Sequence, residues 1–243
     1  MIKKFIFILF AVALAAYILF SVFLMNAKVN NTVCKSIDVV VVDTLKRHFI
    51  GKKEIENMLK KSGINLIGKK MSEIDTELIE SKLEENQLIK KAECYKTTGG
   101  SVKIEIYQKI PVMRIVSVYG SYYIDNEGGI MPISDNFSAY VPIATGYIDK
   151  EFATTKLYDF ALFLQNNKYW NSQIAQINVL PNKDIELSTR AGDFQVLLGQ
   201  LDDYETNLNK LKFFYEKGLN KVGWNRYSVI NLKYKNQVVC TKK

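Results

Sequence analysis

At 243 residues, with 48% hydrophobic and 24% charged side chains, the chain is long enough for two small domains and too apolar for a disordered protein. Its net charge of +8 is scattered along the chain, which marks a solvated surface that faces anionic lipid or cell-wall polymer more readily than nucleic acid. One histidine and three widely spaced cysteines, Cys34, Cys94 and Cys240, argue against multi-histidine metal sites, zinc knuckles and a disulfide framework. Single buried thiols are the simplest reading, with a Cys34–Cys94 bridge left open for an oxidising compartment.

The first element is the uncharged run Phe5 to Met25, preceded by Lys3 and Lys4. At ~1.5 Å of rise per residue it covers about 30 Å, enough for one helix to cross a bilayer. A cleaved signal peptide has a shorter apolar core, ~7–15 residues, and a small-residue exit, whereas Phe23-Leu24-Met25 is bulky. A retained anchor is therefore expected, with a cytoplasmic tail over 1–4, the span over 5–25 and a linker over 26–35. The lysines hold the tail inside, which sends the bulk of the chain across the membrane.

Ser36 to Asp43, with Ile37 and Val39 to Val42, predicts a buried β-branched strand. Two helices follow. Lys52 to Lys61 places Ile55, Met58 and Leu59 on one stripe ahead of Gly63, and a second helix opens at Ser72 as N-cap, with Ile74, Leu78, Ile79 and Leu83 at helical spacing. Leu88 to Tyr95 and the alternating Val102, Ile104 and Ile106 are two strands joined by the turn Thr97-Thr98-Gly99-Gly100. A three-stranded sheet with both helices on one face buries the apolar stripes most simply.

From Pro111 short alternating runs replace this pattern: Val112 to Val118, Tyr122 to Ile124 and Ile130 to Ile133, with a turn at Asp125-Asn126-Glu127-Gly128-Gly129. Lys156 to Asn166 predicts a helix carrying Leu157, Phe160, Ala161 and Leu164. Ile174 to Leu180, Ile185 to Ser188 and Phe194 to Leu198 form a meander, and Asp202 to Lys217 a second helix with Gly218 as C-cap. Ser228 to Tyr234 closes the domain as a strand that Gln237 to Cys240 extends. The fold class is α+β: a membrane helix, a β-α-α-β-β domain over 36–110 and a strand-rich domain with two helices over 111–243.

The strand, helix, helix, strand, strand order resembles a POTRA domain. With the membrane pass and the strand-rich second domain, the chain resembles the FtsQ/DivIB cell-division family. Ile104-Glu105-Ile106-Tyr107-Gln108-Lys109-Ile110-Pro111 is similar to the family's domain junction, with Lys109 in place of the usual arginine ahead of Pro111. Tyr122-Tyr123-Ile124-Asp125-Asn126-Glu127-Gly128 resembles its aromatic, Asp and Gly hairpin. Ile230-Asn231-Leu232-Lys233-Tyr234 resembles its Asp-Leu-Arg-Tyr strand, departing at Asn231 and Lys233, while Phe163-Leu164-Gln165 and Gly223-Trp224 resemble the Bacteroidetes form. Lysine keeps the charge but loses the planar fork of arginine, so a carboxylate clamp at 109 or 233 is looser. Asn231 carries no charge, so no salt bridge transfers to it.

The resemblance implies a non-enzymatic scaffold at the septum, bulk outside the inner membrane, whose final strand recruits FtsB/FtsL-like bitopic proteins and other division components by strand addition. On that reading Tyr227, Val229, Asn231, Lys233 and Tyr234 bind the partner, with Tyr234 as anchor, and Lys109 and Pro111 form the junction. Tyr227, Val229, Asn231 and Lys233 share one face, and Ser228, Ile230, Leu232 and Tyr234 the core face. The residues offer no catalytic constellation. His48, beside Arg47 and Phe49, reads as a surface histidine. Asp125, Glu127 and Asp135 lack the ligand spacing of a calcium loop, and Asp202, Asp203 and Glu205 suit a helix start. No cofactor, metal, nucleic acid or small-molecule substrate is expected. The alternative is a POTRA-bearing chaperone of outer-membrane protein insertion or secretion, which normally continues into barrel strands. A membrane-anchored cell-wall hydrolase is a third class.

Overall fold

The computed structural model describes residues 9–10, 12–21, 32–42, 50–134 and 138–243. Residues 12–21 are helical with outward apolar side chains. Among the described residues no helix is long and apolar enough to cross a membrane. The expected span Phe5 to Met25 lies partly outside them, as do His48 and Asp135. The chain forms two compact units, Met1–Gln108 and Lys109–Lys243.

The first unit holds β1 (Ser36–Val42), α1 (Lys52–Lys61), a 3-10 turn (Met71–Glu73), α2 (Thr76–Glu84), β2 (Ile89–Lys96) and β3 (Ser101–Gln108). The strand order is β1-β3-β2, with β1 parallel and β2 antiparallel to β3. β1 is not the buried strand its valines suggest: it lies at the end of the sheet order, and Val40 and Val42 are exposed. Val102, Ile104 and Ile106 are fully buried and alternate with half-buried Lys103, Glu105 and Tyr107, so one face of the sheet is covered. Ile55 and Leu59 of α1 and Ile79 and Leu83 of α2 supply the buried helical stripes. Each helix start is capped: Gly51 N donates to Glu54 Oε2 at 2.7 Å, and Leu78 N to Asp75 Oδ1 at 3.0 Å.

The cap of α2 is therefore Asp75, not Ser72. Met71 is fully buried and its amide donates to Thr32 O at 2.9 Å, which holds Met71–Glu73 as a separate turn. Leu78 consequently points outward, off the stripe expected for it. Cys34 and Cys94 are free buried thiols, and burial pushes both up, Cys94 to about 12.

The second unit is a nine-stranded sheet of order β12-β11-β10-β9-β8-β7-β4-β5-β6. Its strands are β4 (Pro111–Ser117), β5 (Gly120–Asp125), β6 (Ile130–Met131), β7 (Ile143–Gly146), β8 (Ile174–Val179), β9 (Ile185–Thr189), β10 (Gln195–Gly199), β11 (Tyr227–Asn231) and β12 (Val239–Lys242). The meander β8-β9-β10 is antiparallel as the turn signals predict. The short β7, unread in the sequence, joins two halves by pairing parallel with both β4 and β8. Four residues are too few to show a period.

The first helical segment begins earlier than expected. Asp149 accepts from Phe152 N at 2.8 Å, and the chain runs from Lys150–Phe152 through a π segment, Ala153–Leu157, into α3 (Tyr158–Asn166). A further short helix, α4 (Lys168–Gln173), starts at Asn167, whose side chain accepts from Trp170 N. The last helix is α5 (Tyr204–Phe213), continued by a second π segment, Phe214–Leu219, and a turn, Asn220–Val222. Gly218 is not its C-cap. It lies inside the π segment, where a Cβ would approach Phe214 Cδ2 to 2.6 Å, and Gly223, at φ +95°, ends the helix.

Phe160, Leu164, Leu208 and Leu211 belong to one buried cluster with Ile115, Ile177, Leu187, Val196 and Ile230 from the sheet. Gly146 closes β7 at φ +101°, and a Cβ there would stand 2.2 Å from Val179 O of the neighbouring strand. Replacing Gly146 by alanine should cost about 2–4 kcal/mol, through strain and the lost β7–β8 pairing. Thermal unfolding of the full chain should show a clear drop in Tm for that variant.

Candidate functional site: the C-terminal sheet edge and two buried aspartates

The expected terminal strand, Ser228 to Tyr234, is shorter than its alternation suggests and is not at the edge. It ends at Asn231, whose side-chain Oδ1 accepts from Lys233 N at 3.0 Å and bends the chain. After Asn236, at φ +57°, the chain returns as β12. β11 thus lies between parallel β10 and antiparallel β12, so both of its sides are paired. The outermost strand is Val239–Lys242.

The face assignment holds from Val229 to Leu232 and fails on either side: Tyr227, expected on the outward face, packs against the buried cluster beside Phe214, because the register shifts between Tyr227 and Val229. Ile230 and Leu232 are fully buried, whereas Tyr234, expected on the same face, is 49% exposed because the strand has already ended. Val229 and Asn231 pair with Thr241 and Val239, and buried Ile230 pairs with half-buried Cys240. Val239 and Thr241 therefore share the open face with Val229 and Asn231, and Tyr234 lies in the turn beside them.

Two lysines fix that turn. Lys233 Nζ reaches Asp184 Oδ2 at 2.6 Å, in the turn between β8 and β9, where Asp184 is buried. Lys210 on α5 donates to Leu232 O at 2.7 Å and Tyr234 O at 2.8 Å. Partial burial lowers the Lys210 ammonium from its usual range, with Asp203 opposing the shift. The Lys233 ammonium is shifted the other way by its hydrogen bond to Asp184. Lys210 and Asp184 carry no sequence signal of this role: one reads as the polar face of a helix, the other as a turn residue.

A second lysine–aspartate contact stands where the second unit begins. Lys109 Nζ is 3.2 Å from Asp125 Oδ2, and Asp125 is 2% exposed. Its Oδ1 accepts from Glu127 N at 2.9 Å and Gly129 N at 2.7 Å, while Asn126 N donates to Ile110 O at 2.8 Å. Pro111 opens β4 opposite Asp125. The carboxylate is thus committed to its own turn and to Lys109. Among the described residues no group of three or more His, Cys, Asp or Glu side chains is arranged to hold a metal ion. Lys109 and Lys233 each hold a buried carboxylate through a single ammonium, with no second parallel hydrogen bond.

A family model described as FtsQ/DivIB, C-terminal related, matches residues 110–241, more than half of the chain. The chain belongs to the FtsQ/DivIB family. A POTRA-like domain model matches residues 32–107, which contain the three-stranded sheet and its two helices. No curated protein matches the chain. The FtsQ/DivIB match begins one residue after Lys109 and covers β11 and all of β12 but Lys242.

Lys109→Ala removes the one ammonium beside a buried carboxylate. Because Lys109 is 25% exposed and two amides still hold Asp125, the loss should be about 2–3 kcal/mol, below that of a fully buried pair. Lys109→Arg should restore stability, as read by denaturant unfolding monitored in the second unit.

Proposed function

We propose that the protein is a non-enzymatic scaffold of the cell-division machinery, anchored in the inner membrane and recruiting partners by strand addition at β12. The observation that carries this reading is an outermost strand, Val239–Lys242, on the sheet of an FtsQ/DivIB-related domain. An extended segment can pair with such an edge through its backbone and gain specificity from alternate side chains. The FtsB/FtsL-type bitopic division proteins are the partners proposed for it.

The proposed contact surface comprises Val229, Asn231 and Tyr234 beside β12, with Tyr227 contributing only the part of its ring not packed against the core, while Lys233 acts through its hold on the turn. Tyr234 is the candidate anchor, being large, exposed and seated on a backbone that Lys210 fixes. The division of the chain into tail, anchor, linker, POTRA-type domain over 36–110 and β domain over 111–243 belongs to the same proposal. The anchor is supported by the exposed Leu9, Phe10, Leu14, Ile18 and Phe20, apolar side chains with no protein cover. Lys3 and Lys4 then place the bulk outside the cytoplasm. The family match over 110–241 favours this reading over an outer-membrane chaperone.

A proline scan of Val239–Lys242 tests the edge. Proline at a position whose amide faces outward should lower affinity for an FtsB/FtsL-type complex at least ten-fold without unfolding the domain. Tyr234→Ala should cost about 1–3 kcal/mol of binding. Wild-type affinity in folded variants would move the interface elsewhere. Depletion of the protein should give filamentous cells, and normal septation would sink the division role.

A further inference from the structure

The sheet of the first unit has the order β1-β3-β2, so β2 is an edge strand. Such a strand presents backbone donors that invite another chain to pair. On β2 two of these donors are already taken. Ala92 N donates to Glu84 Oε1 at 2.9 Å and Cys94 N to Glu80 Oε1 at 2.6 Å. Both glutamates come from α2, four residues apart, and their targets are two residues apart on the strand.

The spacings match. Four helical residues advance about 6 Å and two strand residues about 6.6 Å, so one helix turn sets carboxylates at the pitch at which the strand sets its edge amides. Each carboxylate stands where an added strand would place a carbonyl. The groove alongside is also lined by Glu77, and by Glu93 in an ion pair with Lys91, so the repulsion an arriving strand's carbonyls meet there comes from the α2 glutamates.

We propose that Glu80 and Glu84 close the β2 edge to strand addition, and that they prevent β2 of one copy from pairing with β2 of another. The side chains replace a neighbouring strand without covering the sheet, so the POTRA-type unit can lie beside other chains without zipping onto them. The partner-recruiting role assigned to β12 does not enter the argument.

The full chain in detergent micelles provides the test, as wild type, Glu80→Ala/Glu84→Ala and Glu80→Gln/Glu84→Gln. At a dilution where the alanine pair is monomeric, hydrogen exchange in peptides covering Ile89–Lys96 should quicken about ten-fold. The glutamine pair retains an acceptor oxygen at each position and should stay within about three-fold of wild type. Sedimentation velocity should show a dimer for the alanine pair at a concentration where wild type shows less of it. If the double variant does not fold, the single variants carry the same test, Glu80→Ala freeing Cys94 and Glu84→Ala freeing Ala92. Edge amides as slow as in wild type at that dilution, or no added self-association at higher concentration, would overturn the proposal.

Discussion

A backbone amide in a β-sheet needs an acceptor, and on an outermost strand every second amide has none within the ladder. The two units meet this constraint in different ways. In the first, α2 supplies carboxylates to the β2 amides. In the second, β6 shortens one edge to Ile130–Met131, and β12 terminates the other with a four-residue strand. Whether a strand end serves as a wall or as a binding surface depends on whether a side chain has already taken the place of the missing neighbour.

The buried aspartates solve a related problem at the turns. Asp125 and Asp184 each sit at a hairpin between adjacent strands and are largely withdrawn from solvent, so their charge has to be met chiefly by protein groups. Asp125 draws on two amides of its own turn, and Asp184 on Asn182. A lysine from a distant segment completes each site: Lys109 from the start of the unit and Lys233 from its end. These contacts hold turns that hydrophobic packing alone does not orient. Ion pairs of this kind add little net stability, but removing one partner leaves a costly unpaired charge.

The first unit was legible because its signals agree. The valines of β1, the stripes of α1 and α2 and the glycine turn before β3 each point to the same arrangement. What misled was local. Ser72 has the chemistry of a cap, yet burial of Met71 moves the helix start to Asp75. In the second unit, Gly218 reads as a stop because composition cannot show that a π segment needs space beside Phe214. Tyr234 continues the alternation of β11, but Asn231 turns the chain first. The position of the edge depends on β12 folding back, and the period of Val239–Lys242 is too short to announce it. Lys109 and Lys233 stood out through family resemblance, whereas Lys210 became meaningful only once its ammonium met two carbonyls.

β11 pairs parallel with β10, and parallel neighbours cannot be joined by a tight turn. Here α5 and its π extension carry the chain between them. β12 pairs only with β11, so it is joined to the rest of the sheet only where β11 has paired with β10. The β10–β11 pairing spans a long stretch of sequence, so loop-closure entropy is spent before the contact rewards it. The outer strand is consequently a certificate of completion: a chain stalled or misfolded anywhere between β10 and β11 has no ordered edge to offer. Recruitment through that edge would screen out incomplete molecules with no separate proofreading factor, because the recognition surface and the finished fold are the same object.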